Sequence, residues 1–123
     1  MTWGKVAAPT GGENMQIHGC DLTIPTRFNP DDTLAHAVNA IRKIWGGVVI
    51  EIDNPPEIFV YRSKEAANAW EAHGWNKKYS KDMVHLIVSL DHPGVMTMVV
   101  EDDKDETLLK VIESVTEALK PEG

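Results

Sequence analysis

Two Pro-containing turns constrain the fold of this chain more than any other feature of its sequence. DNPP at residues 53–56 separates the apolar runs GVVIEI and EIFVYR, and DHPG at 91–94 separates MVHLIVSL and VMTMVVE. Two apolar extended runs around such a turn are typical of a β-hairpin. In the second turn, Pro93 and Gly94 suit the two central positions of a type II turn. The chain is therefore expected to contain two antiparallel hairpins.

Three helical patterns alternate with these extended segments. The first is capped by Asn29, has Pro30 in its first position, and ends at Gly46-Gly47. The second runs from Ser63 to Gly74, and the third starts near Asp105 and stops at Pro121. With an extended segment at 15–24 in front, the predicted order is β-α-ββ-α-ββ-α.

The length of 123 residues suits a single domain with a core of its own. Residues 1–14 lack periodicity and are expected to form a flexible N-terminal tail, and 121–123 a C-terminal tail. Residues 15–120 are expected to form one α+β domain: a mostly antiparallel sheet of four or five strands packed with three helices.

Side-chain alternation sorts the strand residues into two faces. With Pro93-Gly94 as a two-residue loop, Met98 faces Ser89. On that same side fall Ile87 opposite Val100, His85 opposite Asp102, and Met96. In the first hairpin, Val48, Ile50, Phe59 and Tyr61 fall on one side, and Val49, Ile58 and Val60 on the other.

Both faces are substantially apolar, whereas a sheet with one solvated face alternates more cleanly. Either the helices divide between the two faces, or they share one face and leave the other to a partner, most simply a second copy of the chain. The second alternative predicts an apolar interaction surface that contains Val60, Ile87, Met96 and Met98.

The stretch WEAHGWNKKYSKD at 70–82 collects aromatic and basic residues. Trp70 is expected to anchor the Ala-rich second helix in the core. Trp75, beyond Gly74, and Tyr79 are candidates for a binding surface, because aromatic residues beside cations are typical interface anchors. The acidic run 101–106 caps the third helix or binds a basic partner. The candidate rim residues of the interaction surface are Trp75, Glu101, Asp102 and Asp103.

An alternative hypothesis is a small-molecule-binding protein or small enzyme, with a pocket between sheet and helices near His85, Trp75 and Tyr79. Cys20 and His18 point the same way on a strand, but a lone cysteine is usually an inert core residue. The histidine spacings lack the pairing of a zinc site. No catalytic residue, metal or cofactor is assigned from the sequence.

The balance of charged residues limits the classes of partner that are expected for this chain. Twelve Lys+Arg against 19 Asp+Glu give a net charge of -7, which is unfavourable for nucleic-acid or membrane binding. The single cysteine excludes an intrachain disulfide, and no apolar run has the length of a membrane span, so a cytoplasmic location is expected. We expect a small acidic protein-binding module without catalytic activity, regulatory, inhibitor or immunity-like, that forms a homodimer through an apolar sheet face.

Overall fold

The computed structural model describes residues 19–53, 56–74 and 78–121. Within these ranges, three helices and the five strands of one antiparallel sheet follow one another in the predicted order, which confirms the α+β fold. Across the sheet the strands run β1-β5-β4-β3-β2, so β1 and β2 are its two edges. The elements are β1 Cys20–Pro25, α1 Pro30–Trp45, β2 Val49–Asp53, β3 Glu57–Tyr61, α2 Lys64–Ala72, β4 Met83–Ser89, β5 His92–Val100 and α3 Glu106–Leu119.

Each helix begins at the predicted cap. The side chains of Asn29, Ser63 and Asp105 accept hydrogen bonds from backbone N–H groups in the first turns of α1, α2 and α3. Such a cap contributes about 1 kcal/mol. Gly46 ends α1 at φ 80°, a left-handed conformation that favours glycine. The helix boundaries therefore follow from local signals.

The pairing of β4 with β5 differs from the prediction. Met98 faces Leu86 rather than Ser89, a displacement of three residues along β4. The tight turn is Leu90-Asp91, because Ser89 pairs with His92. Pro93, Gly94 and Val95 follow inside β5 as an irregularity, where a proline without an N–H is tolerated. An odd displacement reverses the faces, so the predicted sorting of this hairpin was wrong.

The predicted sorting of the first hairpin was also wrong. Val49 pairs with Tyr61 and Glu51 with Phe59, while Ile50 pairs with Val60. Phe59 and Tyr61 therefore share a face with Glu51 and not with Ile50. The physical reason is again the register, which the length of a proline-containing turn leaves undetermined in the sequence.

The three helices divide between the two faces of the sheet. On the first, the α1/α3 face, Val84, Leu86, Val88, Met96, Met98 and Val100 pack beneath α1 and α3 in the main core. On the second, the α2 face, Trp70 packs against Phe59, Tyr61 and Met83. Trp70 is thus the core anchor of α2, as predicted. Of the two arrangements that the sequence left open, the divided one is observed.

This division corrects the predicted interaction surface. Val60, Met96 and Met98 are each 0% exposed on the α1/α3 face, so that prediction was wrong for these three residues. Ile87 lies on the α2 face and is half-buried. The predicted tail at 1–14, residues 15–18 of the predicted first strand, and Trp75 lie outside the described residues.

Candidate functional site

β2 is the most exposed strand of the sheet. It ends the strand order and, within the described ranges, pairs only with β3. Ile52, an apolar residue, is 76% exposed. Edge strands usually carry charges, prolines or a covering element, because an open edge can pair with another chain. On its α1/α3 face, β2 presents isoleucine instead.

An apolar groove runs along β2 on the α1/α3 face. α1 packs mainly against α3, β4 and β5, so it leaves a groove of about 500 Å³ between itself and the β3–β2 side of the sheet. The apolar residues that line it are Leu34 and Val38 from α1 and Ile50, Ile52 and Ile58 from the strands. Asp31, Asn39 and Arg42 add polar groups to the lining, and Asp53 and Glu57 border it from strand positions that alternate toward the α2 face.

A smaller and more polar depression, of about 230 Å³, borders β2 on the α2 face. Glu51, Tyr61, Lys64 and Glu71 are among the residues that line it. The Tyr61 hydroxyl donates a hydrogen bond to Glu51 Oε1 at 3.0 Å. Burial raises the pKa of Tyr61, and Glu51, Glu71 and Asp53 raise it further through their negative charges. β2 therefore lies between an apolar groove and an acidic depression.

On the α2 face, three ionisable side chains are also joined by hydrogen bonds. His85 is 8% exposed and stacks on Phe59 with ring centroids 4.0 Å apart. Its Nδ1 is 2.9 Å from the Tyr79 hydroxyl, and its Nε2 is 2.8 Å from Glu57 Oε1. Burial, followed by the charges of Asp21 and Glu57, raises the pKa of Tyr79 to about 12. The hydroxyl therefore keeps its proton. An ionised Glu57 carboxylate only accepts, so Nε2–H donates to it, and in the neutral imidazole Nδ1 then accepts from the Tyr79 hydroxyl.

The hydrogen bonds among Tyr79, His85 and Glu57 hold the segment that precedes β4 against the sheet. A Cβ at Gly19 would lie 2.7 Å from Tyr79 Cδ2 and 2.9 Å from the Val100 carbonyl oxygen. Glycine is therefore required for the close approach of the Tyr79 ring. The predicted pocket residues His85 and Tyr79 do meet, but His85 pairs with Val99 and not with Asp102. Glu57 was missed, because its diagonal position relative to His85 is evident only in the correct register.

Two of the predicted rim residues lie together with Tyr79 at a different place on the surface. Tyr79, Glu101 and Asp102 line a depression of about 420 Å³ with Lys78 and Lys81. Positive and negative charges are mixed there, and Lys81 also pairs with Asp105 at 3.6 Å. Asp103 is half-buried and is not among the lining residues of this depression. The acidic run thus caps α3 and forms one side of a charged surface.

The sequence did not indicate that the two faces beside β2 form a candidate binding site. Leu34, Val38, Ile50 and Ile52 fit helical or strand periodicity and read as ordinary core positions. No sequence signal places β2 at a sheet edge, because strand order is a property of tertiary structure. The alternation of isoleucine and acid in Ile50-Glu51-Ile52-Asp53 was the available clue.

Among the described residues, no helix combines the length and the apolarity needed to cross a membrane. Within the same ranges, no group of three or more histidine, cysteine, aspartate or glutamate residues is arranged to hold a metal ion. No protein-family model, curated protein or solved structure matches this chain.

Proposed function

We propose that this chain is a non-catalytic protein-binding module that accepts an extended segment of another protein alongside β2. The observation that carries the proposal is the apolar groove of about 500 Å³ beside an edge strand with a 76% exposed isoleucine. We further propose a cytoplasmic location, which suits a chain with a single cysteine.

Addition of a further strand would use both the open edge of β2 and the apolar groove beside it. The backbone of an incoming segment hydrogen-bonds to the open edge, and every second side chain enters a pocket beside it. Covering an isoleucine fully contributes about 1.5–3 kcal/mol, so Ile52 alone provides a substantial part of a micromolar affinity. This mode replaces the flat apolar face expected from the sequence, because Val60, Met96 and Met98 lie in the core.

Selection from a displayed library of random peptides tests this function while the natural partner is unidentified. We expect the selected peptides to bind the wild-type protein and to lose binding to Ile52→Lys, because the lysine places a charge over the apolar groove. Leu109→Lys is the matched control: Leu109 is 38% exposed on α3, away from β2. Selected peptides that bind Ile52→Lys as tightly as wild type would contradict the proposal.

A second candidate function is small-molecule binding on the α2 face beside His85. It is favoured by the contact of both ring nitrogens with ionisable side chains, at 2.9 and 2.8 Å. A thermal-shift screen would supply a ligand. Tyr79→Phe and Glu57→Gln should then each weaken its binding, with Glu113→Gln on α3 as a control for lost charge. Undiminished binding to both variants would remove these residues from the site.

A further inference from the structure

We propose that the segment accepted by β2 alternates aliphatic and basic residues, with the aliphatic side chains in the α1 groove and the basic ones beside Glu51 and Asp53 on the α2 face. This inference rests on the proposed function and adds the chemistry of the partner.

The alternation follows from the geometry of sheet addition. Residues side by side on paired strands share a face, and successive residues of one strand point to opposite faces. Neighbours of Ile50 and Ile52 on the incoming strand therefore point to the α1/α3 face. The residues between them point to the α2 face with Glu51 and Asp53. One strand thus meets an apolar surface and an acidic surface at alternate positions.

The charges on the α2 face favour a cation. Glu51 and Glu71 line the depression beside β2 together with Lys64, and Asp53 lies close enough for its charge to raise the pKa of Tyr61. Glu51 accepts a hydrogen bond from Tyr61, but a carboxylate has room for further donors. Glu57 is farther in and already contacts His85 at 2.8 Å. A lysine or arginine beside β2 would offset the surplus of negative charge.

The groove on the other face favours an uncharged aliphatic side chain. Leu34, Val38 and Ile58 form its wall opposite Ile50 and Ile52. Of its ionisable lining residues, Asp31 and Arg42 carry opposite charges. Asp53 and Glu57 also line its edge, but their strand positions alternate toward the α2 face, where the Glu57 carboxylate contacts His85. A basic side chain would be desolvated against these apolar residues, at a considerable free-energy cost.

The same charges disfavour a second copy of this chain as the occupant. Antiparallel pairing of β2 with β2 of another copy would bring the Glu51 and Asp53 carboxylates of both chains together on one face. Like charges on neighbouring strands are destabilising. The net charge of -7 adds a longer-range repulsion between copies and an attraction for a basic segment.

Labelled synthetic peptides of about seven residues test the inference by fluorescence anisotropy. The probes alternate valine with lysine, with serine or with glutamate, and a fourth has the lysine–valine composition with all lysines at one end. We expect the lysine–valine peptide to bind about tenfold more tightly than the serine–valine peptide, a difference of about 1.4 kcal/mol. Raising the salt concentration to about 0.5 M should reduce that advantage.

Variants then assign the effect to residues. The double change Glu51→Gln with Asp53→Asn should abolish the preference for lysine, whereas Glu113→Gln on α3 should leave it unchanged. Thermal unfolding checks that each variant is folded. If the serine–valine peptide binds as tightly as the lysine–valine peptide, the basic alternation is wrong although the edge site stands. If the blocked peptide matches the alternating one, binding is unspecific attraction and the inference is overturned. If no peptide distinguishes wild type from Ile52→Lys, the proposed function itself fails.

Discussion

The two edges of the sheet carry similar strands but differ in what covers them. On β1, Ile24 is 3% exposed beneath α3, and Arg27 just after the strand donates to the carbonyl oxygens of Leu119 at 3.1 Å and Lys120 at 2.7 Å. On β2, Ile52 is 76% exposed beside the apolar groove. Both isoleucines occupy the α1/α3 face. Whether an edge is open is therefore decided by where the helices lie and not by the strand's own sequence.

The largest expected effect compares a core residue of the α1/α3 face with the open edge. Met98→Ala should lower the free energy of unfolding by about 2–5 kcal/mol, because it removes a fully buried side chain and leaves a cavity. Ile52→Ala should change it by less than about 0.5 kcal/mol. Chemical denaturation measures both values. Similar losses for the two variants would mean that β2 is covered after all.

A smaller effect on stability is expected where Arg27, which follows β1, contacts the end of α3. Arg27→Met should lower stability by about 1 kcal/mol, since the guanidinium bonds to carbonyls at the end of α3 and lies over Phe28. Arg42→Met is the matched control at the β2 side, where the only described side-chain bond of Arg42 reaches Asn39 at 3.5 Å. Equal losses for the two variants would show that Arg27 does not secure this edge.

An effect of similar size, which also depends on pH, is expected at the Tyr79–His85 hydrogen bond. Tyr79 titrates near pH 12 in the folded protein and near its ordinary value of 10.0 when unfolded. Above about pH 10 the unfolded chain binds fewer protons, so stability falls as pH rises toward 12. Tyr79→Phe should be less stable at pH 7 by about 1 kcal/mol. The difference from wild type should shrink between pH 10 and 12.

Denaturation curves recorded across this pH range provide the measurement. Tyr61, whose pKa is also raised by burial, still titrates in the Tyr79→Phe variant. The stability of that variant should therefore continue to fall as the pH rises, but less steeply than the stability of wild type. Parallel curves for the two proteins would contradict the assignment of the raised pKa to Tyr79.

Local signals made the elements predictable, and long-range geometry limited the rest. Asn29, Ser63 and Asp105 marked the helix starts because a cap satisfies its own helix within one turn. Pro93-Gly94 misled because its dipeptide fits a tight turn equally well, yet here it lies inside β5. The resulting odd register error moved Met98 from core to surface in the predicted arrangement.

The candidate site was predictable only in fragments. His85 and Tyr79 were placed in the same candidate pocket, and their side chains are in contact, because six residues of chain bring the loop back to the strand that it precedes. Ile52 escaped notice because its exposure depends on the strand order and on the path of α1 over β4 and β5. Neither property is encoded within any short stretch of sequence.

Amide hydrogen exchange of the full chain, with and without the lysine–valine peptide, tests the open-edge account most directly. We predict that β2 amides that point away from β3 exchange rapidly in the free protein and become protected in the complex, while β1 amides are unchanged. Protection that appears on β1 or near Tyr79, with β2 unaffected, would contradict the assignment of β2 as the binding edge.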